Sequence, residues 1–446
     1  MIRKSNLLVI IFFIFILTYL IPMVFNHNVK AENNTDFQIT QYDNRLWDNT
    51  VKLYLHNNLW DKRDSADAGE ALMIPLISAF ELNQAEWQKQ FASHFNRFMK
   101  EDHSSFSTSE DDYDLAREGY LYLASRFVAL AAQHNRTELI PSGLVDRLQN
   151  EVKILWNQKP AVWYERESFE GGIKERLEWK IKTHNVSRSY YRAITDHELY
   201  LFAIAADLRT YERLTKPVER WSSINSDILN MTYITLRDYI KSTNNGGWLF
   251  QPGAWKDHPD YAYAGNKNIT FNMKPIPLSD IAEDSSHSHR WPVWLKSMSS
   301  ACVETDPKRK YYEGLEKGLE QQFYEKVLIK PTMEFPAYKL NNYMNGNNGI
   351  YRWGYITQGE NNGYGPSELS GILVCGWWGI MQSERIKMVY QEMQSEFPLS
   401  QVVIKTYIGP NTTRERNPYV KWPDYFTNGF GELNVRLSAK QYGEKL

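Results

Sequence analysis

The sequence predicts a mainly α fold, a helical (α/α) toroid that carries long aromatic-rich loops and few short strands. Three observations predict it. Apolar residues recur at three- and four-residue steps through most of the chain. These runs follow one another with neither a βαβ alternation nor a strict repeat period, and alternation of period two is rare. With 446 residues the chain is long enough for such a scaffold.

The first segment is an address rather than a part of the fold. Arg3 and Lys4 precede the uncharged run Leu7 to Phe25, and Val29-Lys30-Ala31 offers small residues at the −3 and −1 positions of a cleavage site. Residues 1–31 therefore read as a secretory signal peptide, with an uncleaved membrane anchor as the alternative because the apolar run is long. Residues 32–446 form the toroid-like domain. Loss of Arg3, Lys4 and Lys30, with no acid among residues 1–31, moves the net charge from −2 to −5. Fifty-one basic against 53 acidic residues excludes a binder of nucleic acid that works by neutralising phosphate. Cys302 and Cys375 are open to pairing in an oxidising compartment and have no metal-ligand spacing.

Helices are expected over Leu46–Leu59, Glu70–Leu82, Trp87–Met99, Leu115–Ala132, Leu144–Trp156, His197–Leu214, Ile224–Ile240, Val293–Val303, Tyr311–Val327, Leu369–Met381 and Ile386–Phe397. Gln401–Ile408 is the best strand candidate, ahead of Trp248–Phe250 and Tyr351–Ile356. Four long insertions remain, at 101–112, 158–189, 244–279 and 330–365. The last three concentrate Trp, Tyr, Arg and Asn and read as binding loops. In a chain with 15 Trp, 28 Tyr and 20 Phe, such loops point to stacking surface as well as core.

Chemistry-capable residues gather at helix starts. Thr195 and Glu198 fit a capping box, which leaves Asp196 and His197 as candidate substrate contacts. Glu283-Asp284-Ser285-Ser286-His287-Ser288-His289-Arg290 runs directly into Trp291-Pro292, and Pro292 sets the helix start near Ser288. One of the serines caps the helix, and the two histidines and the arginine remain to be explained. A zinc or calcium site on His287 and His289 with Asp284 or Glu283 has the wrong spacing for a helix-borne histidine pair. No cofactor is called for. A third cluster, Asn361 to Glu368, holds Tyr364 between two glycines, with Pro366 at the expected first position of a helix and Glu368 in its first turn. Asp67 to Glu70 and Asp114 to Glu118 are further polar starts. If alternate helices begin at one pole, all five converge on one mouth.

No Gly-x-Ser-x-Gly elbow, His-Glu-x-x-His pair or phosphate loop occurs. Trp, Tyr, Asn, Arg, His and carboxylates in loops above helices suit sugar, whose apolar faces stack on rings and whose hydroxyls and carboxylates meet planar polar groups. On the Asp284-Ser285-Ser286-His287 stretch and the Gly363-Tyr364-Gly365 loop, the chain resembles the secreted carbohydrate-active enzymes built on (α/α) toroids, among them polysaccharide lyases and glycoside hydrolases. That resemblance implies a polysaccharide or oligosaccharide partner. In a lyase, His287 is the base, Tyr364 the acid, and Arg290 with Asn361 neutralises a uronate carboxylate. In a hydrolase, Asp284 pairs with Glu368 or Asp196. Trp248, Trp255, Arg352, Trp353, Asn361, His197, Asp196 and His289 are the expected substrate contacts. A non-catalytic sugar-binding protein is the third alternative.

Overall fold

The computed structural model describes residues 38–104, 114–163, 167–410 and 416–440. By contacts the chain divides into Met1–Gln38 and Ile39–Leu446, and the described residues belong almost wholly to the second unit. The signal segment and the tip of the 101–112 insertion lie outside the described residues. Among those described, no helix is long and apolar enough to cross a membrane.

The fold is mainly helical, as expected. Four helices are buried on nearly every side: α2 (Lys62–Glu81), α4 (Asp114–Gln133), α7 (Asp196–Thr215) and α9 (Trp291–Ala301). Helices of this kind have to be enclosed by others. They pack in chain order, α2 on α4, α4 on α7 and α7 on α9. Beyond α9, 3₁₀ turns at Trp377–Met381 bridge to α13 (Phe430–Ala439), which packs back on α2. Each enclosed helix has an amphipathic partner. These are α3 (Ala85–Glu101) on α2, α5 (Leu144–Asn157) on α4 and α7, α8 (Ser223–Tyr239) on α7, α10 (Pro307–Gln322) on α9 and α11 (Glu384–Ser395) on α13. α1 (Gln41–Asn49) opens the unit with a Thr40/Asp43 capping box. A buried ion pair, Arg126 to Asp207 at 2.7 Å, ties α4 to α7, and Ser297 of α9 completes it at 2.9 Å from Arg126.

Small residues set how closely the enclosed helices approach. A Cβ at Gly69 of α2 would stand 2.8 Å from the carbonyl oxygen of Gly119 on α4. Elsewhere in a helix, Gly→Ala gains about 1 kcal/mol. Here the opposite sign is expected: Gly69→Ala should lose about 1–3 kcal/mol in urea denaturation, because backbone cannot yield to the added methyl. A gain would show that α2 and α4 can separate freely.

Several local expectations are corrected. Gln401–Ile408 is helix α12, not a strand: Val403, Ile404 and Tyr407 are buried while Val402 faces out, a helical spacing, and Ser400 caps the start. Leu369–Met381 is not an α-helix but two 3₁₀ segments broken at Gly376, whose φ is +86° and whose missing Cβ leaves room for the Ser438 hydroxyl. Pro366 therefore begins no helix. The helix expected over Leu46–Leu59 breaks at Thr50, and the one through Val327 widens into a π turn after Gln322. Pro292 stands in the first turn of α9, which starts at Trp291 after a separate turn, Ser285–Ser288. Tyr351–Ile356 makes only a single bridge, Tyr351 to Tyr364.

Among the described residues there are three two-stranded antiparallel ribbons: β1 (Ala161–Trp163) with β2 (Glu167–Phe169), β3 (Ile240–Ser242) with β4 (Trp248–Phe250), and β5 (Leu328–Ile329) with β6 (Lys339–Leu340). The 158–189 insertion holds helix α6 (Gly172–Lys182), which no apolar period announces. Its buried face carries Arg176 and Lys180, ion-paired to Glu198 at 2.9 and 2.7 Å. Both cysteines are free thiols.

Candidate active site

The N-terminal halves of three enclosed helices, with two loops, line a cavity of about 430 Å³. Asp67 and Glu70 of α2, Leu115, Ala116 and Gly119 of α4, and Asp196 and Tyr200 of α7 form one side. Ser286, His287, His289 and Arg290 follow from the segment before α9, and Tyr351, Arg352, Tyr364 and Glu368 from the 330–368 stretch. The short side chains of Ala66, Ala71, Ala116 and Gly119 leave the room that the polar groups line.

Asp284 builds the local geometry. Its Oδ1 accepts the amides of Ser286 and His287 at 3.0 and 3.1 Å and so caps the turn Ser285–Ser288. Its Oδ2 lies 2.7 Å from His287 Nδ1 and 3.0 Å from the Tyr261 hydroxyl. Burial opposes its charge, yet the His287 ring, the Ser286 hydroxyl and nearby Arg352 hold the carboxyl well below the usual range. An ionised Asp284 fixes the proton on His287 Nδ1, which leaves Nε2 as the acceptor nitrogen of the neutral ring. Among the described residues Nε2 has no hydrogen-bond partner, and His287 lines the cavity. Burial pulls the His287 pKa down, but Asp284 and then Asp196 outweigh it and the net shift is upward. Glu283, directly behind, is pushed up to about 7 by burial and by the Asp196 and Asp284 charges.

Four side chains, Glu70, His289, Arg290 and Asp196, form a network beside this pair. Glu70 Oε2 lies 2.6 Å from His289 Nε2, and Glu70 Oε1 accepts from Arg290 Nε at 2.6 Å. Arg290 Nη1 donates to Asp196 at 2.7 Å, and His289 Nδ1 stands 2.6 Å from the Ser286 carbonyl. Arg290 is thus spent on two carboxylates, and His289, buried with both nitrogens engaged, is a strut.

Arg352 is differently placed. Its Nε donates to Asp260 at 2.8 Å, and its guanidinium lies over the Tyr351 and Tyr355 rings at 5.1 and 4.7 Å. The terminal nitrogens carry no hydrogen bond to any described residue. Tyr364 is fixed by its bridge to Tyr351 and by close backbone: a Cβ at Gly363 would meet Trp353 Cα at 2.8 Å, and one at Gly409 would meet the Tyr364 ring at 3.0 Å. The Tyr364 hydroxyl makes no hydrogen bond to a described residue. Glu368 Oε2 accepts the Gly365 amide at 2.6 Å, and burial raises its pKa.

His287, His289, Arg290, Arg352, Asp196, Tyr364 and Glu368 therefore meet in one cavity, with Asp284 just behind. Other expected contacts lie elsewhere. Trp248 is 4% exposed, donates to the Leu315 carbonyl at 2.8 Å and packs edge-on against Trp291, so it is core. Trp255 stacks on Tyr261, and Trp353 leans on Tyr263; neither lines the cavity. Asn361 is exposed and outside it. His197 turns into a smaller neighbouring cleft, where Nδ1 lies 2.9 Å from both oxygens of Glu118. Tyr200 and Trp422 are cavity residues that the sequence did not single out, since one sits in an apolar run and the other beside a proline with no polar cluster to mark it, whereas Tyr351 belongs to an insertion read as a binding loop. No group of three His, Cys, Asp or Glu that could hold a metal ion occurs among the described residues. No family model, curated protein or solved structure matches the chain.

Proposed function

We propose that this chain is a secreted carbohydrate-active enzyme, built as a helical toroid, that cleaves an acidic polysaccharide by β-elimination. One observation carries the reading: His287, oriented by a buried ionised Asp284, shares a cavity with Tyr364 and with the uncommitted end of Arg352. His287 Nε2 takes the proton from the carbon next to the uronate carboxylate. The C–H electrons become the new ring double bond, the bond to the glycosidic oxygen breaks, and Tyr364 supplies the proton to the departing oxygen. Arg352 neutralises the carboxylate as charge develops on it, the role first expected of Arg290. The packing order that leads from α2 round to α13 and back supports the toroid.

Hydrolysis is less well served. Glu368 has the raised pKa of a general acid, but Asp284 is committed to His287 and Asp196 to Arg290. Neither is free to act as the second carboxylate.

Elimination leaves an unsaturated sugar, so wild-type protein incubated with uronate polymers should gain absorbance at the ultraviolet edge. New reducing ends without that absorbance would mean hydrolysis, and neither would mean binding alone. The pH profile gives a second check. A base must be neutral, and His287 is shifted upward from 6.5 by Asp284 and Asp196 against burial and Arg352. Turnover should therefore rise with pH along a limb centred above that value. A limb centred well below it would point to a carboxylate base.

A further inference from the structure

The cavity has a second end that the elimination step does not use. Asp67, only 5% exposed, accepts from Arg63 Nη2 at Oδ1, 2.8 Å away, while its Oδ2 is buried with no hydrogen-bond partner. Arg416 comes no nearer to Asp67 than 3.8 Å, and its guanidinium makes no hydrogen bond to any described residue. Beside it is Trp422, half-buried, with Arg416 5.6 Å from its ring centroid. Trp422 is held at its edges, by Phe426 at 5.0 Å and by Gly371, where a Cβ would stand 2.9 Å from the ring. All three groups line the same cavity as His287. Buried polar atoms without partners are rare in folded proteins, and an acceptor beside an unfilled guanidinium and an aromatic face is the complement of an acidic sugar.

We propose that Asp67, Arg416 and Trp422 form a second subsite for an anionic sugar, with the ring against Trp422, its carboxylate or sulfate on Arg416, and a hydroxyl donating to Asp67 Oδ2. The inference rests on the reading that this cavity takes an acidic polysaccharide and names its class: a chain with acidic groups on at least two sugars, one on Arg352 and the other on Arg416. A polymer with a single acidic end could meet only one of the two arginines.

Calorimetric titration in a His287→Gln background, which stops turnover, tests this. The probes are an unsulfated uronate tetrasaccharide, its carboxyl-reduced form, a sulfated tetrasaccharide and a single uronate sugar. Arg416→Gln and Trp422→Ala should each weaken the uronate tetrasaccharide by about tenfold or more, the scale of one charge-assisted contact. Binding of the single sugar should change far less in Arg416→Gln, while Arg416→Lys retains part of the tetrasaccharide affinity. Thermal melts of each variant separate lost contact from lost fold. Sulfated tetrasaccharide bound more tightly than the uronate would assign the Arg416 group as sulfate. Equal losses for the uronate and its reduced form would overturn the acidic subsite, as would unchanged tetrasaccharide binding in both variants, and either result leaves elimination at His287 standing. Selective loss in the variants, with no unsaturated product from wild type, would keep the subsite and remove the lyase.

Discussion

His287→Ala should lower turnover of a uronate polymer by about 10²–10⁴-fold, the range for a general base, while affinity changes little. The size follows from how the ring is set. Asp284 is fully buried and fixed by two amides and the Tyr261 hydroxyl, so the His287 orientation does not depend on substrate. Asp284→Asn should also be slow, because an amide no longer supplies the charge that holds the proton on Nδ1 and raises the ring's pKa. Its limb of the pH profile should move to lower pH than in wild type. Tyr364→Phe removes only a hydroxyl from a ring that its glycine neighbours already fix, so its loss isolates protonation of the leaving group. Rates are measured as ultraviolet absorbance gained per enzyme. Wild-type rates in either His287→Ala or Tyr364→Phe would end the elimination mechanism.

The chemistry around His287 was legible because it is local. Asp284, His287, His289 and Arg290 are within seven positions of one another, and an acid three residues before a histidine is spaced to cap a turn and touch the ring. What those groups are committed to was not legible. Arg290 reads in the sequence as the neutraliser of a substrate carboxylate, yet its partner Glu70 lies 220 positions away, and because of that pairing the proposed mechanism gives the role to Arg352. The aromatic loops were legible only in part, for a related reason: Tyr351, Arg352 and Tyr364 reach the cavity, whereas Trp255 and Trp353 do not. Rings in the 244–279 and 330–365 insertions build a small core of their own, with Tyr261, Ala264, Ile281, Tyr343, Tyr351 and Leu369 buried and Trp255 against them. Composition cannot tell a ring that packs on other rings from one that waits for a sugar. Tyr261 links the two functions, since its ring belongs to that core and its hydroxyl holds Asp284. Helical content was legible from periodicity except at α6, where Arg176 and Lys180 take apolar positions, and at α12, whose β-branched run Val402-Val403-Ile404 read as a strand.

Glu70→Ala should cost about 3 kcal/mol in urea denaturation at pH 7, at the lower end for breaking a buried pair because the Glu70 side chain keeps 23% exposure. The cost comes from what remains. His289 is 1% and Arg290 14% exposed, and without Glu70 one loses the acceptor at Nε2 and the other keeps only Asp196. The indole of Trp377 donates to the Glu70 main-chain oxygen at 2.9 Å and survives the substitution, so the loss reports the carboxylate rather than the helix. The sign of its pH dependence follows from the direction of the shift. Burial opposes the Glu70 charge, but Arg290 and His289 hold its folded pKa well below the unfolded 4.5. The carboxylate's contribution is therefore fully present above that unfolded value and drains away as pH falls below it. Wild type and Glu70→Ala should differ most at neutral pH and converge in acid. A gap that stayed constant from pH 7 to about 3 would mean that the side chain acts by filling space. The same charge balance makes Glu70 a positioning residue for the site: it anchors the segment that carries His287, so its loss should also blunt turnover under conditions where the protein is still folded.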